Sequence, residues 1–369
     1  MTLFSWLISA LWSRSVIAQA SVPLSWAPKD FPITGQKTNA PALNHYNATS
    51  TLAYQSDDVT AVNCHSTWFF ITTMDNKKHH LSNIICLEGR DLLRVYSVYS
   101  DLSNTSVPFQ ATVRAEPVTA REDRLSITSH TQKISVETAA EQHTFMNWVT
   151  EYDGVRVDAQ LMPAGSNFYL AGSGGVQLPP SPTQVDPFAG FPGFSWYWTN
   201  PNLRINGTFT VNGVTSPIDS TQSFAHYGRQ YGYFALPSVY WAVWLRFPTG
   251  EMLMSWNIFP DSNGHRSSAW ASIWHPNGLV EYLPVGGKTS ASDVSTSASG
   301  RQYWNSFVLD LPAINSSLEI QQWTRNAEFV ADGSPLNLTE SYAEGSGVWR
   351  GKWTTFVAHV EQAGAKTER

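Results

Sequence analysis

Residues 194–214 read FSWYWTNPNLRINGTFTVNGV. Phe194, Trp196, Tyr197 and Trp198 crowd its start, Pro201 interrupts it, and from Leu203 to Val211 apolar and polar residues alternate up to Asn212-Gly213. A period of two is the pattern of a strand with one face buried, and Asn-Gly is the dipeptide that a tight hairpin turn prefers. The same pattern recurs at Val155–Met162, Trp241–Phe247, Met252–Phe259, Ala269–Trp274, Leu279–Val285 and Lys352–Val360, with turn signals at Thr249-Gly250 and Asn277-Gly278. Helical periodicity is scarce, so the spacing predicts an all-β chain built as barrels or sandwiches. The aromatic start is open to three uses: core, sugar platform, or the wall of a pocket for an apolar ligand. Burial decides among them, because a sugar platform leaves its rings open to water.

A chain of 369 residues is long enough for two or three cores. Charged residues make up 14%, against about 25% in an average soluble domain. Aromatics reach 13% with 16 Trp, and the net charge is -6 without a Lys/Arg cluster. Nucleic acid is therefore excluded as a partner, since phosphates demand basic patches. Residues 1–20, MTLFSWLISALWSRSVIAQA, carry an apolar run from Leu3 to Trp12 and then Ala18-Gln19-Ala20, the small-residue spacing of a signal-peptide cleavage site. Entry into the secretory pathway is expected, although no Lys or Arg precedes the run and Arg14 follows it. No later segment has the roughly 18 apolar residues of a membrane helix, so no stable membrane insertion is expected. Glycosylation sequons fall at Asn47, Asn104, Asn206, Asn315 and Asn337. Chance alone gives about four in a chain this rich in Ser and Thr, but glycans would help to keep an aromatic, weakly charged surface soluble.

Residues 172–193, GSGGVQLPPSPTQVDPFAGFPG, hold too much Gly and Pro for a strand and read as a long loop or lid. GGKTSASDVSTSASGR at 286–301 reads as a polar surface loop. A boundary near Phe234–Ser238 divides the chain after the leader into β domains 21–235 and 236–369. Cys64 and Cys86 flank a strand–turn–strand segment centred on Asp75, which sets them opposite each other. In an oxidising compartment a disulfide follows; two buried thiols are the other state. His79-His80 falls in the polar turn of that segment and is expected in solvent. If Thr249-Gly250 is the turn of the 241–258 hairpin, Trp241, Val243, Leu245 and Phe247 share an apolar face with Met252, Met254, Trp256 and Ile258. The opposite face then carries Ala242, Trp244 and Arg246 with Leu253, Ser255 and Asn257, a mixture suited to a surface or a cavity with placed hydrogen bonds.

No G-x-S-x-G elbow, G-x-G-x-x-G, P-loop or H-E-x-x-H occurs. Two cysteines alone make no structural zinc site, and no metal is expected. Glycoside hydrolysis needs two carboxylates about 5 to 9.5 Å apart. Asp153, Asp219, Glu251 and Glu281 stand near aromatics but form no paired motif.

Tyr197-Trp198, Pro201, Gly207-Thr208-Phe209-Thr210-Val211-Asn212-Gly213 and then Ala225-His226-Tyr227-Gly228 follow one another in an order that is similar to the two-domain, lipocalin-like proteins. These include carotenoid 1,2-hydratases, fungal kievitone-hydratase-type proteins and fungal Diels-Alderases. The likeness continues through WAVWLRFPTGEMLMSWNIF and YAEGSGVWRGKWTTFVAHVE, and the HYGRQYG segment most resembles hetero-Diels-Alderases of tropolone-sesquiterpenoid pathways. The resemblance implies two lipocalin-like β-barrel or sandwich domains with a ligand cavity between them, no cofactor, and small hydrophobic substrates. The activity it implies is dehydration of a hydroxymethyl tropolone to a quinone methide, followed by hetero-Diels-Alder addition to a humulene-type sesquiterpene. His226, Tyr227 and Tyr197 are then the proton or hydrogen-bond donors. Trp198, Trp244, Trp256, Trp270, Trp274, Asn257 and Asp153 are candidate substrate contacts, although such rings more often serve a core, Trp244 being favoured by the Arg246 and Asn257 on its expected face, and an Asp beside Tyr152 and Gly154 more often a turn. One departure matters: hydratases of the carotenoid branch pair the histidine with acids, whereas here Ala225 precedes His226 and the following hairpin offers only Ser255 and Asn257. Alkene hydration is thereby disfavoured against a pericyclic step. A hydratase or dehydratase, a non-catalytic carrier of hydrophobic metabolites, and a carbohydrate-handling protein are the rival expectations.

Overall fold

The computed structural model describes residues 62–366 apart from 90, 105, 107–108, 122–124, 139–145, 165–167, 170–174, 178–193, 262–263, 266, 278, 326 and 330–337. The leader, Asn47, Asn337 and most of the 172–193 segment lie outside the described residues. The first sheet contains β1 (Val62–Thr72), β2 (Lys78–Glu88), β3 (Leu92–Asp101), β4 (Gln110–Ala120), β5 (Ser126–Ser129), β6 (Ile134–Thr138), β7 (Met146–Tyr152), β8 (Val155–Pro163), β9 (Phe168–Tyr169), β10 (Gly175–Gln177), β11 (Phe194–Val211), β12 (Val214–Pro217) and β13 (Phe224–Tyr233). Strand β11 closes it. Phe194–Asn200 pair with β13, while Leu203–Val211 pair with β8, and the register shifts between Asn200 and Leu203. Pro201 sits at that shift because it has no N–H to give a ladder. The ring β11-β13-β1-β2-β3-β4-β5-β6-β7-β8 is thus a closed ten-stranded barrel. Asn212 (φ 49°) and Gly213 (φ 82°) turn β11 into β12 with Val211 opposite Val214, the left-handed pair that Asn-Gly favours.

The second sheet contains β14 (Tyr240–Arg246), β15 (Met252–Ile258), β16 (Ser268–Trp274), β17 (Val280–Pro284), β18 (Ser290–Thr296), β19 (Arg301–Leu311), β20 (Ser316–Gln322), β21 (Glu328–Phe329), β22 (Leu338–Trp349), β23 (Lys352–Ala363) and β24 (Ala365–Lys366). Its order β17-β16-β15-β14-β23-β22-β20-β19-β18 leaves it an open, curled half-barrel. Among the described residues there is no α-helix, only a 3-10 turn at Pro312–Ile314. The segment expected as a polar loop at 286–301 supplies β18 instead, a mostly exposed strand on the sheet edge. Ser and Thr suit that place, because an edge strand facing water buries little on either side.

Alternation along the strands sorts side chains into three cores. Phe69, Trp148, Trp198 and Tyr227 fill the barrel, and Trp241, Leu245, Phe307 and Leu309 fill the second sheet. A third cluster, with Trp68, Tyr197, Trp244, Trp256 and Trp274, lies in the seam where the two sheets meet. Cys64 and Cys86 stand opposite each other on β1 and β2 as a disulfide within this seam.

The 241–258 hairpin corrects the expected register. Phe247 N–H bonds Glu251 C=O, Gly250 N–H bonds Phe247 C=O, and Gly250 has φ 83°, so Pro248-Thr249-Gly250 is a three-residue loop. The added residue shifts the pairing by one: Trp244 opposes Met254 and Ala242 opposes Trp256. A one-residue slip exchanges the faces of one strand. Trp244 and Trp256 therefore share the seam, and Asn257 turns to the other face of the sheet.

Candidate active site in the seam

Facing the barrel, β22 presents Glu340 and Tyr342 while β23 presents Glu361 and His359, in an antiparallel register that sets Glu340 beside Glu361 and Tyr342 beside His359. Across the seam the barrel offers Trp68 from β1, Ser82 and His80 from β2, and His226 from β13. The Trp68 ring lies 4.5 Å from Trp244, 5.0 Å from His226 and 5.2 Å from His359, centroid to centroid. Trp68 Nε1 donates to Glu340 Oε2 at 3.2 Å, Ser82 Oγ reaches the same oxygen at 3.5 Å, and His359 Nε2 contacts it closely. His359 Nδ1 lies 3.2 Å from His80 Nε2. The polar cluster is embedded in apolar rings, and Glu340, His80 and His359 are fully buried.

Electrostatics follow from that burial. Loss of water pushes the Glu340 carboxyl up to about 8, with hydrogen bonds from its neighbours working the other way. Burial and the adjacent Glu340 raise Glu361 well above the usual carboxylate range, and the Tyr240 hydroxyl donates to it. The two carboxyls contact each other. Glu340 Oε1 has no N–H or O–H donor among the described residues. A proton held between them is the consistent state, as for any two carboxyls that share a dry site. Burial lowers His80, His226 and His359 well below the ordinary imidazole value, so all three are neutral near pH 7.

The tautomer of His226 can be deduced. Thr199 Oγ1 donates its one proton to Tyr227 C=O at 2.5 Å and also contacts His226 Nε2. The histidine must then donate from Nε2, which leaves Nδ1 as a bare acceptor. That buried Nδ1 has no partner among the described residues, nor do the indole N–H groups of Trp256, Trp270 and Trp274. Buried polar atoms without a protein partner need one from water or from a ligand.

The HYG motif now has a division of labour. His226 faces the seam, Tyr227 enters the barrel and bonds His65 Nδ1 at 2.7 Å, and Gly228 lies under the ring of Tyr197. A Cβ at Gly228 would stand 2.3 Å from the Tyr197 hydroxyl. Gly228→Ala is expected to displace Tyr197 and cost about 1–3 kcal/mol, as overpacking does; urea denaturation measures it, and an unchanged midpoint would mean that Tyr197 moves freely.

Of the residues proposed from sequence, His226, Tyr197, Trp244, Trp256, Trp270 and Trp274 meet in the seam. Tyr197 is buried, as a sugar platform would not be. Four others are placed elsewhere. Trp198 and Tyr227 pack inside the barrel, 5.4 Å apart, because strand alternation sends them opposite to Tyr197 and His226. Asn257 bonds Ser255 on the far face of the second sheet. Asp153 occupies the β7–β8 turn at φ 48°, pairing with Arg114 at 2.6 Å on the surface. His79 and His80 are not in a solvated turn but buried in β2. Asn104, Asn206 and Asn315 are exposed.

Sequence reasoning missed Trp68, His80, Glu340, His359 and Glu361. The carboxyl pair is 21 positions apart and meets only across a ladder, so no motif spacing shows it. One signal was present: His359 and Glu361 alternate within the apolar run VAHVEQA, which puts two polar groups on one strand face. Among the described residues no group of three metal-ligating side chains is arranged to hold an ion.

Comparison of the sequence with family models and with curated proteins finds no match. Solved structures do match. Kievitone hydratase from Nectria haematococca superposes with TM-score 0.69 at 18% identity over 82% of this chain and 89% of its own. An AttH-type protein from Nitrosomonas europaea gives 0.63 at 13% over 81% and 91%. CghA with Sch210972 gives 0.54 at 10% over 84% and 90%. At these identities the likeness is one of fold, and this chain has the two-unit, lipocalin-like architecture that the hydratase and CghA share.

Proposed function

We propose that the chain is a cofactor-independent enzyme whose buried Glu340 acts as a general acid in the loss of water from a small, conjugated, hydrophobic alcohol. The observation that carries this is a carboxyl fully buried among aromatic rings and paired across the ladder with a second carboxyl, a setting that raises its pKa toward the protonated state a proton donor needs. In the finer form the substrate is a hydroxymethyl tropolone. Glu340 protonates the departing hydroxyl as the C–O bond breaks, and the acidic proton of the tropolone hydroxyl, released to solvent when the substrate binds, is the one that later restores Glu340. Water and a neutral quinone methide result, and no net proton is consumed. Addition across a ring alkene of a humulene-type sesquiterpene then forms one C–C and one C–O bond without further proton transfer. Trp244, Trp256, Trp270 and Trp274 supply rigid apolar walls, which bury terpenoid surface at about 25 cal/mol per Å² and hold the partners face to face. The same proposal has the protein enter the secretory pathway, take two small hydrophobic substrates, and involve neither nucleic acid nor stable membrane insertion.

Incubation with both precursors tests it: a single adduct stereoisomer is expected, and a product mixture equal to the buffer control would sink it. A second reading, a hydratase or dehydratase of a phenolic or isoprenoid metabolite, gains from Glu340, which supplies from β22 the acid that Ser255 and Asn257 could not. The likeness to kievitone hydratase supports the same reading. Transfer of labelled water oxygen into product, without any adduct, would favour it.

A further inference from the structure

At one end the seam opens into a cleft of about 570 Å³, lined by Gln222, Ser223 and Phe224 of the barrel and by Arg246, Glu344 and Val357 of the second sheet. Arg246 is half-buried there. Its guanidinium lies 4.0 Å from the Phe224 ring centroid, and Nη1 donates to Asn202 Oδ1 at 3.1 Å, just past the Pro201 shift of β11. No carboxylate pairs with it among the described residues, and burial alone brings the guanidinium down to about 10. Glu344, the acidic residue of the cleft, is exposed and accepts the Tyr342 hydroxyl at 2.9 Å. A half-buried cation without a counter-ion, with N–H donors in a planar fork, is what binds a delocalised oxyanion.

The cleft is joined to the carboxyl pair by stacked rings. Phe224 stacks on Phe70 at 4.4 Å, Phe70 meets His80 edge-on at 5.1 Å, and His80 stacks on His359 at 5.1 Å. On β14, Arg246 is one same-face position beyond Trp244, the residue paired with His359. That step is about 7 Å, close to the width of one conjugated ring.

We infer that Arg246 anchors the acidic oxygen of a planar, conjugated substrate in this cleft, setting its ring along the edge of the Phe224–Phe70 stack with the reacting edge toward His359 and Glu340. The inference deepens the proposed dehydration and rests on it for the direction of the ring. Arg246 is a positioning and specificity residue; it does not transfer protons.

Tropolone and tropone, the same ring with and without the acidic hydroxyl, are the probes, titrated against the full chain by calorimetry at pH 8. The wild type is expected to bind tropolone at least about tenfold more tightly than tropone, the range of a charge-assisted hydrogen bond. Arg246→Gln should erase the preference and Arg246→Lys should retain part of it, with melting curves confirming that each is folded. Equal binding of both probes by the wild type, or a preference intact in folded Arg246→Gln, overturns the inference. Should Arg246→Gln not fold, titration of the wild type at falling pH decides: the preference must vanish as tropolone becomes neutral, and its persistence overturns the anchor. The two proposals fail separately. A wild type that prefers tropolone yet forms no adduct or dehydration product refutes the function and leaves the anchor; turnover with no probe preference does the reverse.

Discussion

Glu340→Gln is expected to lower kcat by about 10²- to 10⁴-fold, the usual range for removing a general acid, while the protein stays folded. Glutamine keeps the shape and can still meet Trp68 Nε1 and Ser82 Oγ, but it has no acidic proton. In the wild type, activity should fall as pH rises through about 8, where Glu340 loses the proton it donates. That limb should be missing from whatever activity the variant retains. A diene supplied already dehydrated should react equally well in both proteins, because confinement by the tryptophans does not need the acid. Loss of that reaction as well would show that Glu340 holds the seam together rather than donating a proton.

Stability gives a second readout with a definite sign. The folded-state carboxyl of Glu340 lies above its unfolded value of 4.5, so the folded protein binds the proton more tightly. Its contribution is complete below about 4.5 and is lost as pH rises toward 8. Glu340→Gln should therefore lose less stability than the wild type between pH 5 and pH 8.5. The difference is on the order of a few kcal/mol, and Glu361 keeps a share of the dependence. Denaturant midpoints at the two pH values measure it, and parallel losses in both proteins would place Glu340 in contact with water.

Trp68→Ala should have the largest effect on stability. The ring is almost fully buried and packs on Trp244, His226 and His359, so truncation leaves a cavity and costs about 3–5 kcal/mol. Trp68 belongs to the seam and not to the barrel core. The seam should consequently loosen first, seen as loss of near-ultraviolet circular dichroism at a denaturant concentration where far-ultraviolet strand signal persists. Trp68→Phe separates packing from hydrogen bonding. It should keep most of the stability, yet remove the donor that holds Glu340 down, and so move the alkaline limb of activity upward. A Trp68→Ala protein as stable as the wild type would contradict the seam as a packed core.

Much of this was legible in residues 194–214. Alternation from Leu203 to Val211 and the Asn212-Gly213 turn depend on backbone sterics and on which face meets water, and both are local. The same locality set Cys64 opposite Cys86 and made β14 and β15 a hairpin. The face of β15 was a different matter. Whether Thr249-Gly250 or Pro248-Thr249-Gly250 forms the loop changes the register by one, and one position exchanges Trp256 for Asn257 in the seam. Sequence by itself thus determined that this is a β chain with aromatic strands and a candidate site histidine at His226. Only the tertiary structure decided which rings serve as core and which line the seam. It alone brought Glu340 and Glu361 side by side, because cross-strand neighbours are chosen by ladder register, and a carboxyl becomes an acid near neutral pH only when a second sheet removes its water.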